Sequence, residues 1–591
     1  MYNSNGNYEA FARPKKPARA DEIKNVYIVG SGLAGLAAAA FLVRDGQVEG
    51  SKIRVFEELP VGGGSLDGAF IKNKGWVVRG GREMENHYEC LWDLYRSIPS
   101  LEIPDASVLD EYYWLNKEDP NFSMTRLIEA RGQQKPDDGK YNLTNKDLKQ
   151  LIQLILTKEE DLQDKKINEV FSDEFLQSNF WWYYKTMFAF ENWAGAMEMR
   201  RYLLRFCHHI DGLMDMRALK FTKYNQFESL VLPLITWLKS KGVVFQYDTQ
   251  VKNILVDQKN PAAKKVAKIE LVCAQKPETL TVRDDDLVFV TNGSATESST
   301  SGDNNTPAAE THELGGSWNL WKNMAQQDAL FGNPAKFCEN IPSESWFIAS
   351  SITINDKVLP WVEKISKRKP MPGKVVTGGI VSVVDSNWEI SYTMNRQPHF
   401  KNQKPGEYVV WLYGLLSNTV GNYIKKPIEK CTGMEITQEW LYHLGVPVEQ
   451  IYQLASEECN NIPTYLPFIT SYFMPRALGD RPKVNPEGYL NLCFIGNFAE
   501  IEHDVVFTTE YSVRTAMTGV YTLLGIDRGV PEVYASSYDV RELLKTLSWL
   551  TDKQKIKDLD LSFGQKVLTK KLLKKLNNTM IQDLLIKENL K

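Results

Sequence analysis

Hydrophobic positions along the first hundred residues change period twice. Val26–Val29 is an unbroken apolar run and predicts a short buried strand. After Gly35 the chain reads LAAAAFLVRDG, which predicts a helix, and residues 53–56 predict a second strand. Such a strand–helix–strand unit starts a parallel sheet. Residues 85–240 carry long, aromatic-rich amphipathic stretches (NFWWYYKTMFAFENWAG, MRRYLLRFCHHIDGL) and predict mostly helix. Strand character returns at 243–247, 251–256, 267–272 and 287–290, then several times within 376–415. Residues 490–495 predict another short buried strand, and 511–524 a helix. Residues 294–312 are rich in Ser, Thr, Asn and Asp and predict a long surface loop. Residues 1–24 predict an arm with little intrinsic structure. No internal repeat is visible.

Composition narrows the class. The chain has 591 residues, 43% hydrophobic and 24% charged, with a net charge of −4. These values describe a soluble globular protein, and the acidic balance speaks against a nucleic-acid partner. The longest apolar run, 33–43, is about half of the ~20 residues that a spanning helix needs. The polar, basic N-terminus lacks the apolar stretch of a secretion signal. Seven cysteines without a CxxC pair fit a reducing cytoplasm and argue against a thiolate metal centre. Seven histidines show no HxH or HExxH spacing, and the adjacent His208 and His209 are predicted to point different ways on a helix. No metal is expected.

Gly30-Ser31-Gly32-Leu33-Ala34-Gly35 is a GxGxxG motif in an informative context. It follows a strand and opens a helix, and Glu57 ends the next strand 22 residues after Gly35. Gly30 permits the tight turn, Gly32 lets a pyrophosphate approach the backbone, and Gly35 lets helix and strand pack closely. The helix N-terminus attracts phosphate, and Glu57 can accept from ribose hydroxyls. Placement near the N-terminus favours FAD over NAD. Three later segments agree: the Gly-rich loop 61–65 ending at Ser65, the strand end reaching Ser294, and the strand–Gly496–Asn497 segment leading into the region of Ser512. Asn497 stands where such folds usually carry Asp. No second GxGxxG and no dithiol accompany them. The expected fold class is α/β, with a discontinuous Rossmann-like FAD-binding domain, an α+β substrate domain and a helical C-terminal region.

The segment RGGREMEN at 79–86, within GWVVRGGREMENHYECLWDL, is more specific. It resembles the bacterial oleate hydratases, fatty acid double-bond hydratases once called myosin-cross-reactive antigens. The resemblance extends to the TNGS, HELGGSW and YTMNRQPHF segments and the basic C-terminus. It implies FAD-dependent addition of water to the isolated cis double bond of an unsaturated fatty acid, without net electron transfer. It implies that Glu83 activates water and that Tyr202 donates the proton. It places the substrate carboxylate on Gln226, Thr393, Asn395 and His399, the last as a possible imidazolium. Arg82 joins the cofactor residues, and Val251 is added by analogy with related flavoprotein folds, through its backbone. A homodimer is implied too. The rivals are an FAD-dependent oxidoreductase acting on a lipid or amine, and a lipid-binding protein with structural FAD.

The implied organisation is an arm at 1–24 and an FAD-binding domain from 25–100, 220–300 and 485–530. Substrate-binding and helical regions occupy 101–219 and 313–484, and a basic helical region occupies 531–591. Residues 541–591 carry a net charge of +6, leaving −10 for the rest. Lys566, Lys570, Lys571, Lys574 and Lys575 fall on one side of a helical wheel, with Leu568, Leu572, Leu573 and Leu576 mostly opposite. This pattern predicts a helix lying on an anionic membrane surface. The expected location is therefore a bacterial cytoplasm with peripheral membrane association. A helix packed on the body or on a second subunit is the alternative.

Overall fold

The computed structural model of the chain describes residues 11–66, 68–80, 83–339, 347–416, 418–559 and 563–591. A five-stranded parallel sheet is assembled from three distant parts of the sequence. Its order is Leu492–Ile495, Leu287–Thr291, Val26–Val29, Ile53–Phe56, Val244–Gln246. Val26–Val29 sits at the centre and all four residues are buried, as an unbroken apolar run requires when both faces are covered. One face is covered by Leu33–Arg44 and Thr509–Leu524, which pack against each other. The other carries a three-stranded antiparallel sheet, Thr249–Asp257, Lys265–Cys273 and Lys276–Thr281, with a core of its own around Ile254, Ile269 and Val290.

A second, eight-stranded mixed sheet runs Thr300–Ser301, Cys459–Leu466, Phe347–Ile354, Tyr408–Gly414, Ile390–Thr393, Val381–Val383, Leu127–Glu129, Gln133–Gln134. Helices Asn179–Phe188 and Ala196–Arg205 belong to the large core that also contains the parallel sheet.

Several elements depart from the sequence expectation. Helix Leu33–Arg44 starts before Gly35, because Gly32 takes the N-cap with extended backbone. Helix Thr509–Leu524 starts before 511, because the Thr508 side chain caps it by accepting from the Tyr511 N–H. Within the otherwise helical 85–240 region, Leu127–Glu129 and Gln133–Gln134 extend the mixed sheet. Within the predicted loop 294–312, Thr300–Ser301 pairs with Thr464–Tyr465. The second half of the N-terminal arm is held rather than loose. Arg19–Glu22 is a short helix, Ala20 and Ile23 are buried, and the Arg19 guanidinium donates to the carbonyls of Leu490 (2.9 Å) and Leu523 (2.5 Å).

Candidate active site and dinucleotide cleft

At the C-terminal edge of the parallel sheet the chain turns sharply at Gly30, whose φ of +93° suits glycine. A cleft of about 450 Å³ opens there. Gly30, Gly32, Glu57, Ser65, Val251, Ser294, Asn497 and Ser512 all line it. Gly35 does not; it lies behind the turn, where a Cβ would come within 2.0 Å of the Gly30 carbonyl oxygen. Its role is the close helix–strand approach. Arg82 lies outside the described residues. The Glu57 carboxylate accepts from the Ser31 N–H (3.0 Å), the Ser31 hydroxyl (2.6 Å) and the Leu59 N–H (2.9 Å), which fixes it at the rim. The Asn497 Oδ1 accepts from the Phe507 N–H at 3.3 Å. Thr291 Oγ1 is buried in the cleft wall with no hydrogen-bond partner among the described residues.

Two residues that sequence reasoning missed also belong to this wall. Glu297 accepts from the Ser317 N–H (2.9 Å), the Ser317 hydroxyl (2.8 Å) and the Trp318 N–H (3.2 Å) at the start of helix Gly316–Ala325. Burial raises its carboxyl above the ordinary range. Phe507 is the other, a non-glycine residue at φ +73°.

Glu83 and Tyr202 line one small apolar cavity of about 40 Å³, together with Tyr88, Tyr184, Phe188 and Phe206. Glu83 also lines a neighbouring cavity of about 20 Å³ with Trp411, Tyr413 and Tyr472. Phe507 and Thr508 line both the first cavity and the dinucleotide cleft, so the wall between them is thin. Drug-sized ligand pockets occupy roughly 300–1,000 Å³, so both cavities, with the side chains as they stand, are far smaller than a ligand pocket of that size.

Tyr202 is fully buried. Phe188, Phe190, Phe206 and Phe473 surround its ring, with centroids 4.8–5.7 Å away. Burial, and then the neighbouring tyrosines, push its phenol pKa well above the usual value. Its hydroxyl donates to the Val506 carbonyl at 2.5 Å. Helix Ala196–Arg205 is not simply an apolar core helix. Three of its charged residues are buried and paired: Glu198 with Arg476 (2.7 Å) and Arg481 (3.2 Å), Arg201 with Glu159 (2.7 Å) and Glu500 (2.5 Å), and Arg205 with Asp504 (3.2 Å). These pairs fix the axial position of Tyr202.

The expected carboxylate-end residues lie elsewhere; none of them lines these cavities. The Asn225 N–H and side-chain amide donate to the His399 carbonyl (2.8 and 3.2 Å), which joins the segment of Gln226 to that of His399. Thr393 Oγ1 lies 3.0 Å from Thr377 Oγ1 and donates to Asn395 Oδ1 at 3.4 Å. Burial pushes the His399 imidazole down to about 4, so it is neutral at physiological pH. Desolvation disfavours the charged ring.

His208 and His209 correct an expectation. They lie in a tighter 3₁₀ turn, Cys207–Gly212, not on an α-helix. Both Nε2 atoms approach the same carboxylate, that of Glu85.

Residues 23–521 match the model of the MCRA family. The chain is 56% identical to the oleate hydratase of Streptococcus pyogenes serotype M49 (strain NZ131), covering 100% of both chains. It is 31% identical to the linoleate hydratase of Lactiplantibacillus plantarum, covering 84% of this chain and 93% of that one. Among solved structures, cyclohexylamine oxidase from Brevibacterium oxydans IH-35A shares the fold, with a TM-score of 0.51 and 13% identity. That match covers 85% of this chain and 99% of the oxidase.

Proposed function

Because this chain belongs to the MCRA family, we propose that it is an FAD-binding fatty acid hydratase that adds water across an isolated cis double bond, converting oleate to 10-hydroxystearate. The observation that carries this reading is the shared cavity: an acid, Glu83, and a phenol, Tyr202, line one apolar chamber separated from a dinucleotide cleft by Phe507 and Thr508.

Each group has one task. An isolated alkene is barely polarised, so one carbon must receive a proton while the other receives oxygen. Tyr202 gives its phenolic proton to one alkene carbon. Glu83 accepts a proton from water as the water oxygen bonds to the other carbon. The proton on Glu83 then returns to the Tyr202 phenolate, and atoms and charge balance without oxidation. Burial keeps Tyr202 protonated until the alkene is in place. The aromatic rings around Tyr202 exclude bulk water and tolerate developing positive charge. The cleft suits FAD through the Gly30 turn, the N-terminus of helix Leu33–Arg44, the Glu57 rim and the orphaned Thr291 hydroxyl. Bound FAD supplies shape and charge here rather than electrons. Gln226, Thr393, Asn395 and His399 hold the substrate carboxylate by charge-assisted hydrogen bonds.

Mass spectrometry of oleate incubated with the protein and FAD tests the reading. A product heavier by one water, with the flavin spectrum unchanged, supports it. Flavin bleaching or peroxide formation points to an oxidoreductase, and oleate binding without turnover to a lipid-binding protein.

The basic C-terminal helix docks on anionic membrane, where the substrate resides. Lys566, Lys570, Lys571, Lys574 and Lys575 are all exposed on Phe563–Lys575, and Leu572 is half-exposed. No helix among the described residues is long and apolar enough to cross a membrane.

A further inference from the structure

Glu85 lies two residues beyond Glu83 and is fully buried. Its Oε2 is 3.6 Å from His208 Nε2 and 3.4 Å from His209 Nε2, and it accepts the His87 N–H at 2.6 Å. Its Oε1 is 3.3 Å from Arg205 Nη1. The two imidazoles are adjacent in sequence and tilted by 45° with centroids 3.9 Å apart, and both Nε2 atoms approach the same carboxylate oxygen. His208 Nε2 and His209 Nε2 are buried without a hydrogen-bond partner among the described residues, and Glu85 Oε1 and Arg205 Nη1, also buried, meet as an ion pair outside hydrogen-bond geometry. Two orphaned nitrogens converging on one carboxylate are costly unless something sits between them.

The distances indicate what fits. Direct N–H···O bonds run about 2.7–3.2 Å, shorter than either imidazole–carboxylate separation. Around zinc, with bonds of about 2.0–2.1 Å, a tetrahedral edge is about 3.3 Å, close to both. One ligand-type atom from each of Glu85, His208 and His209 lies within 4.8 Å of the others. The surroundings resemble an outer shell. His208 Nδ1 lies 3.0 Å from Ser536 Oγ, and in the tautomer that donates there the Nε2 lone pair faces Glu85. Arg205 holds the other Glu85 oxygen while Asp504, 3.2 Å away, balances its charge.

We propose that Glu85, His208 and His209 form a buried site for one divalent transition-metal cation, zinc being the ion tested, because two imidazoles and a carboxylate are a donor set that zinc takes. The ion ties the Glu83 segment to the end of the helix bearing Tyr202. This site does not rest on the hydratase reading, and its test does not use turnover.

Full-length protein carrying FAD is stripped with a chelator, dialysed against buffered Zn²⁺ and gel-filtered, and zinc is then counted by mass spectrometry. One zinc per chain is expected, with an X-ray absorption shell of nitrogen and oxygen near 2.0–2.1 Å. His209→Ala should lose stoichiometric zinc. Ser536→Ala, milder and distant from the ligating atoms, should weaken it about 10–100-fold in competition with a chelator. Parental protein without stoichiometric zinc, or variants binding as tightly as the parent, overturns the proposal.

Discussion

Tyr202 and Glu83 line one chamber; in the proposed reaction they carry protons of opposite fate, and single substitutions separate the two roles. Tyr202→Phe keeps the ring and removes the donor; it should lower turnover by about 10²–10⁴-fold while oleate still binds. Glu83→Gln should show a similar loss with an unchanged flavin spectrum. Near-parental product formation from either variant removes that residue from the chemistry. The raised Tyr202 pKa has a signed consequence. The neutral phenol is favoured in the fold, so stability is complete below the unfolded value near 10 and declines only at higher pH. Loss of activity through this group is therefore not expected below pH ~10. His399 behaves oppositely: its folded pKa of about 4 lies below the ordinary 6.5, so the unfolded chain binds the extra proton first. Stability is intact above 6.5 and falls as pH drops toward 4. Denaturant titrations across this window should show a shallower acid loss in His399→Phe; an identical slope refutes the assignment.

At the scale of elements, helix Ala196–Arg205 owes its position to charge. Glu198→Ala leaves Arg476 and Arg481 buried without that carboxylate and should cost about 3–5 kcal/mol in denaturant unfolding; a loss within experimental error contradicts this account. Gly35→Ala forces a Cβ against the Gly30 carbonyl and should cost about 1–3 kcal/mol and weaken flavin retention. The glycine motif was legible in sequence because strand, turn and helix are local. The charged face of the Tyr202 helix was not, because its partners Arg476, Arg481, Glu500 and Asp504 are supplied from nearly 300 residues away. The convergence of His208 and His209 was not legible for a different reason: adjacent residues of a 3₁₀ turn stand about 120° apart, and side-chain rotation, not backbone period, brings both Nε2 atoms to one carboxylate.

The whole molecule is built by returning three times to one sheet. Short buried runs such as Val26–Val29 and Leu492–Ile495 were visible in sequence, but only the fold shows the second of them beside Leu287–Thr291. The cavity shared by Glu83 and Tyr202 was likewise invisible to periodicity; it depends on Phe507, which no motif marked. Deleting 561–591 should reduce sedimentation with anionic vesicles while leaving the rest of the body folded, because six exposed lysines leave with it. Unchanged sedimentation rejects the docking role.

Val506 accepts the Tyr202 hydroxyl, and the next residue, Phe507, faces the dinucleotide cleft. On the proposed reading two guests meet across this partition, and linkage makes any effect between them reciprocal: by whatever factor one occupant alters its neighbour's dissociation constant, the neighbour must alter the first by the same factor. Calorimetric titrations performed in either order of addition therefore have to close the same cycle, and the shared wall of Phe507 and Thr508 is where a heterotropic effect would be carried.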